Sequence, residues 1–208
     1  MTVKDVFDLR RQGRVEEAYE AIRPMYAVHK GKYTTLAMFW VGSDILKKRL
    51  SEGRKEEALA VFKALIRLYP HADDSDGRCR SAMLGHLLRM AEATAEVSVL
   101  HYLAAFPIMD ADWLSQTTQQ GFLIESVALR LLERILKELQ REPTVDNALL
   151  AVPFLKQALA HDRRQQTCLY CMALVYRIMG EEEKAEAVLP KTSSGVPLPF
   201  DEHRTETV

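Results

Sequence analysis

The sequence predicts an all-α fold, a right-handed superhelix of about five stacked helical hairpins. Three observations carry that expectation. A phrase of glycine, charged residues and alanine occurs three times, as Gly13-Arg14-Val15-Glu16-Glu17-Ala18, Gly53-Arg54-Lys55-Glu56-Glu57-Ala58 and Gly180-Glu181-Glu182-Glu183-Lys184-Ala185. Each copy stands between stretches whose apolar residues recur at helical spacing, so each reads as a tight corner between two helices. No stretch shows the sustained polar–apolar alternation with paired turn signals that strands require. Of the 208 residues 48% are apolar and 27% charged, ordinary for a chain with a buried core.

Along the chain, the first hairpin is expected over Val3–Val28, turning at Gly13, with Ala18, Ile22 and Met25 on one face of its second helix. Lys30-Gly31-Lys32 breaks the pattern. The second hairpin runs from near Tyr33, turns at Gly53 and places Ala58, Phe62 and Leu65 on one face. Pro70 closes it, because proline cannot extend the helical hydrogen-bond ladder. After a polar loop, with Ser75 or Asp76 as the expected N-cap, helices are expected over 78–93 and 95–106. Residues 110–118 form a short helix or a link.

The strongest helical pattern spans 121–140. Ile124, Ala128, Leu131, Ile135 and Leu139 make one stripe, and Leu129, Leu132 and Leu136 a second. Two stripes predict a helix covered on two sides. A further helix is expected over 146–162, with Ala151, Leu155 and Ala158 on one face. Pro153 there marks either a later start or a kink. The last hairpin spans 165–189, turns at Gly180 and carries Leu169, Ala173 and Tyr176 on its first helix. The expected organisation is one domain over residues 1–190 and a flexible tail over 191–208, where small, proline and charged residues lack periodicity.

The formal net charge is −1, yet it is unevenly spread. Residues 1–69 hold 14 lysines and arginines against 9 acids, a balance of +5, and residues 70–208 hold 14 against 20, a balance of −6. Such a split is what solvated helix faces give, and it also suits contact with a polar partner or head-to-tail contact between copies. Three cysteines do not make a disulfide framework. The N-terminus lacks the apolar core of a signal peptide, and the apolar stretch 97–109 is too short for a membrane span. A cytoplasmic location is the expectation.

Catalytic and metal motifs are weak. Cys168-Leu169-Tyr170-Cys171 has redox or zinc spacing, but it offers two thiols where a closed zinc site needs four ligands, so no structural metal is expected. Asp73, Asp74, Asp76 and Gly77 fail calcium-loop spacing, since Met83 stands where a bidentate glutamate is required. The six histidines are scattered, and no nucleophile elbow, phosphate-binding loop or dinucleotide fingerprint occurs. Lys47, Lys48, Arg49, Arg54 and Lys55 form the densest basic cluster, which suits a helix end or contact with phosphate. The expectation is a non-enzymatic protein without cofactor or metal.

At its turns the chain resembles the tetratricopeptide repeat family of helical hairpins. The best match runs from Phe39 to Pro70, with glycine at the turn (Gly53), alanine where two helices touch (Ala58), then Phe62 and a closing Pro70. Gly13, Ala18 and Ile22 match in the first hairpin, and Ala173, Tyr176, Gly180 and Ala185 in the last. Residues 78–145 carry no copy of the signature, so the resemblance covers about half the chain. The resemblance implies a concave groove, lined by the first helix of each hairpin, that holds a peptide or a partner helix. Carried onto this chain, the groove residues are Phe7, Trp40, Ser43, Asp44 and Lys47. It implies a protein- or peptide-binding adaptor. The alternative is a nucleic-acid-associated accessory protein using the basic first hairpins. Some members of that family grip a carboxylate with lysine and asparagine. Here Val3 and Phe7 occupy the matching places, and Asp44 would repel such a ligand.

Overall fold

The three copies of the glycine phrase fold into the same backbone corner. Gly13, Gly53 and Gly180 all sit at positive φ, between 73° and 78°. That left-handed conformation is open to glycine without a Cβ clash. The amide of each glycine donates to the carbonyl three residues back, and the following amide to the carbonyl five back: Arg14 to Leu9, Arg54 to Arg49 and Glu181 to Tyr176. This pair of bonds satisfies carbonyls that a helix end otherwise leaves open. Next, a charged residue begins the following helix and pairs with the opposite charge three residues on. Arg14 meets Glu17, Arg54 meets Glu57, and in the third copy the polarity is reversed, with Glu181 accepting from Lys184.

The computed structural model describes residues 1–72, 77–94, 97–105, 125–161 and 166–189. Among these, every regular element is helical: α1 (Val3–Arg11), α2 (Val15–Val28), α3 (Lys32–Ser51), α4 (Lys55–Leu68), a 3₁₀ turn (Tyr69–His71), α5 (Arg78–Ala93), α6 (Val99–Ala105), α7 (Glu125–Arg141), α8 (Val145–His161), α9 (Gln166–Ile178) and α10 (Glu182–Val188). Through α5 the packing is regular. Each helix meets the next, and α1, α3 and α5 also meet in sequence. Beyond α5 the pattern changes: α6 packs on α7 and α8, while α7 reaches α5, α8 and α9.

Alanine lets the hairpin helices close up. Ala18, Ala58 and Ala185 are fully buried, one in each copy of the phrase. A small group of buried residues (Val6, Ala18, Ile22, Ala37 and Val41) joins α1, α2 and α3. A larger core runs from Phe39 to Val175 and includes Ala58, Phe62 and Leu65 as the periodicity predicts. Ala58→Leu is expected to overpack the α3–α4 contact and cost about 1–3 kcal/mol. Ala60→Leu, on the exposed side of the same helix, should change the melting temperature little. Equal melting curves for the two variants would show that position 58 tolerates volume.

Several local expectations change. The N-cap of α5 is Gly77, at φ 72° and without a side-chain cap. Ser75 and Asp76 lie outside the described residues, as do 110–118, Ile124 and 191–208. Pro153 does not mark a later start, since α8 runs through it from Val145 to His161. Burial of Ala151, Phe154, Leu155 and Ala158 around it outweighs proline's cost of about 3 kcal/mol in a helix. On α7 the first stripe holds at Leu131, Ile135 and Leu139, but Leu129 of the second is 38% exposed. The buried stripe of α9 is Cys168, Cys171, Met172, Ala173 and Val175, so Leu169 and Tyr176 are only partly covered.

Helix α6 begins at Val99, and its start is held from another helix. Glu138 of α7 is 4% exposed. Its carboxylate accepts from the Val99 amide at 3.0 Å, the Leu100 amide at 3.3 Å and the Ser98 hydroxyl at 2.8 Å. Arg134 donates to it at 3.3 Å. A carboxylate suits a helix N-terminus because it meets open amides and the positive end of the helix dipole.

Candidate functional site at the shared face of the first, third and fifth helices

Residues four apart on a helix share a face. Trp40 and Asp44 therefore lie one above the other on α3, with Lys47 one turn further. Across from them α1 brings Arg10. Its guanidinium Nε donates to Asp44 at 2.5 Å, and its Cζ stands 5.4 Å from the centre of the Trp40 ring. Lys47 completes the group, its Nζ 3.1 Å from Asp44. Trp40 is partly covered and leans edge-on against Phe39, with centroids 5.3 Å apart. Burial pushes the Asp44 carboxyl up. Hydrogen bonds from Arg10 and Lys47 outweigh it and hold the group below the usual carboxylate range. Asp44 is thus a matched anion, and its charge is already spent on Arg10 and Lys47.

The structure brings together three of the five residues read from the sequence, Trp40, Asp44 and Lys47. Ser43 is fully buried, and among the described residues its hydroxyl finds no hydrogen-bond partner. Phe7 is partly buried and packs with the Val6–Ala18–Ile22 group. Arg10, one turn beyond Phe7, is the α1 residue that reaches Trp40 and Asp44. It was legible in principle, since positions three apart on a helix are neighbours.

His86 is the second residue the sequence did not single out. It sits on α5 at 1% exposure, and among the described residues neither ring nitrogen has a hydrogen-bond partner. A neutral imidazole carries one donor and one acceptor, so two buried polar atoms are left unmatched. Burial, then the nearby positive charges of Arg89 and Lys47, drive its pKa down from 6.5 to about 3, with Asp44 opposing. Arg89 is exposed, and among the described residues it has no ion pair. It folds back over Gly85, where an added Cβ would stand 3.3 Å from its guanidinium. Arg10, Lys47 and Arg89 against Asp44 leave this face with excess positive charge.

His86 makes stability depend on pH. Its folded pKa lies below its unfolded one, so between 6.5 and about 3 the unfolded chain binds a proton that the folded chain does not. The contribution is therefore complete above pH 6.5 and is lost as pH falls toward 3. The slope approaches about 1.4 kcal/mol per pH unit. His86→Leu is expected to flatten urea-unfolding stability across that window. An unchanged slope in the variant would show that His86 is solvated in the native protein.

The basic cluster on α3 and α4 is largely consumed internally. Arg49 donates to both carboxylate oxygens of Glu16, at 2.5 and 3.1 Å, and approaches Glu57 at 3.3 Å. Lys48 also meets Glu16, at 3.1 Å, and Arg54 meets Glu57 and Glu52. These pairs tie the first glycine corner to the second. Lys55 alone of the cluster has no ion pair among the described residues.

The two thiols of the C-x-x-C are fully buried. Cys168 donates to the Leu155 carbonyl at 3.4 Å and Cys171 to the Leu132 carbonyl at 3.6 Å. Burial, then the neighbouring Cys168, pushes the Cys171 thiol well above its ordinary range. Both behave as packing residues rather than as nucleophiles. Among the described residues no group of three or more histidine, cysteine or acidic side chains is placed to hold a metal ion, and no helix is long and apolar enough to cross a membrane. No protein-family model, curated protein or solved structure matches the chain.

Proposed function

We propose that this protein is a non-enzymatic adaptor that docks a protein or peptide on the face shared by α1, α3 and α5. In this reading the hairpins stack as a right-handed superhelix of the tetratricopeptide type, and α1, α3 and α5 line its concave side. The observation that carries it is the Arg10–Trp40–Asp44–Lys47 group. A partly covered indole ringed by charged groups is the anatomy of an anchor for a partner side chain. Three like corners favour stacked repeats, whose usual use is binding. Internal pairing of Lys48, Arg49 and Arg54 takes up much of the charge of the densest basic cluster, which weakens the nucleic-acid reading there.

Co-purification with the tagged chain, followed by mass spectrometry, identifies the partner. The double variant Lys47→Ala/Arg89→Ala is then expected to lose it. Stability should hold within about 0.5 kcal/mol, as for surface positions. Undiminished capture by the folded variant would remove this face from consideration.

A further inference from the structure

A different face carries a cavity. Residues two apart on a helix point about 200° apart, so Met38 and Gly42 lie on the side of α3 away from Trp40 and Asp44. There α2, α3 and α4 enclose a half-open space of about 220 Å³, walled by Tyr19, Tyr26, Met38, Val61, Leu65 and Leu68. Gly42 is its floor. A Cβ at that position would stand 3.0 Å from a Leu65 methyl, so glycine lets α4 seat closely without filling the space. Ala64 and Arg67 stand at the mouth, both exposed. An apolar cavity of about 150 Å³ is enough to hold a benzene ring. This one takes a single large apolar side chain.

The rim is cationic. Arg67 lines the cavity, the Arg23 guanidinium lies 5.7 Å from the Tyr19 ring centre, and the Lys30 ammonium lies 5.9 Å from that of Tyr26. Among the described residues Arg67 and Lys30 have no ion pair, and Arg23 has only Glu20, at 3.9 Å. Two tyrosine rings with cations on them, around an apolar hole, match an apolar anchor flanked by carboxylates. They do not match a basic or a wholly apolar partner.

We propose that this cavity is a second docking site, which takes one leucine- or phenylalanine-sized side chain of an acidic peptide segment while Arg23, Lys30 and Arg67 hold the flanking carboxylates. It stands apart from the α1–α3–α5 face and does not depend on that reading.

The test uses the full chain and a random peptide library displayed on phage. Selection is expected to enrich peptides with one large apolar residue and aspartate or glutamate on both sides. A synthetic, fluorescently labelled consensus peptide should bind wild type. Its affinity should fall about tenfold or more for Arg67→Glu, through lost charge complementarity. It should vanish for Ala64→Trp, which plugs an exposed mouth without entering the core. Circular dichroism establishes that both variants are folded. The Lys47→Ala/Arg89→Ala variant should bind the peptide as wild type does, which separates this site from the other face. No enrichment over the Ala64→Trp protein, or enrichment of basic flanks, would overturn the proposal. So would phosphatidylserine vesicles bound in place of peptide, or self-association abolished by Ala64→Trp.

Discussion

Replacing Phe62 with alanine is expected to lower the unfolding free energy by about 3–5 kcal/mol, the usual loss for a buried phenylalanine ring. Phe62 is fully buried on α4. Its ring lies 5.3 Å from that of Tyr102 on α6, tilted by 54°. The contact ties the regular first hairpins to the differently packed second half. The loss should therefore appear as one cooperative transition moved to lower urea with an unchanged slope. A double-mutant cycle with Tyr102→Leu should return a coupling of about 0.5–1.5 kcal/mol for the ring pair. Two separate transitions in wild type, or zero coupling, would mean that the halves fold independently of this contact.

The second large effect is expected at Glu138. Glu138→Ala strips the acceptor from the Val99 and Leu100 amides and the Ser98 hydroxyl, and leaves Arg134 without its partner. Hydrogen bonds to a charged group contribute about 1.5–3 kcal/mol, and a buried donor left alone costs about 1–3 kcal/mol. Water reaching the end of α6 offsets part of this, so a net loss of about 3 kcal/mol is expected. Glu138→Gln keeps an acceptor oxygen and should lose less. Amide exchange at Val99 and Leu100 should accelerate in the alanine variant while the amides of α3 and α4 keep their protection. Unchanged exchange in α6 would show that its start is held by something other than Glu138.

These two residues mark where local pattern stops determining the fold. Phe62 was legible because its spacing from Ala58 and Leu65 writes a buried helix face directly into the sequence. Glu138 was not. It falls next to Leu139 on a strongly patterned helix and reads as an ordinary solvated acid, and the groups it holds at the start of α6 are 38 to 40 residues away. The candidate site divides in the same way. Trp40, Asp44 and Lys47 follow from helical spacing on one segment, whereas the pairing of Asp44 with Arg10 crosses 34 residues. The expected repulsion of carboxylates by Asp44 was read from its charge alone, and the spacing does not show that Arg10 pairs with it.

What the sequence by itself determined is the helical class, the three corners and the alanine contacts. Each rests on chemistry within a few residues: glycine at positive φ, a charge pair three positions apart, a small side chain at a helix crossing. Only the tertiary structure decided which charges are spent on one another, which face of α3 keeps an open cavity, and that His86 is buried with no hydrogen-bond partner among the described residues. Those outcomes depend on where helices far apart in the chain come to rest. A side chain's solvation and its partners are properties of that placement rather than of its neighbours in sequence.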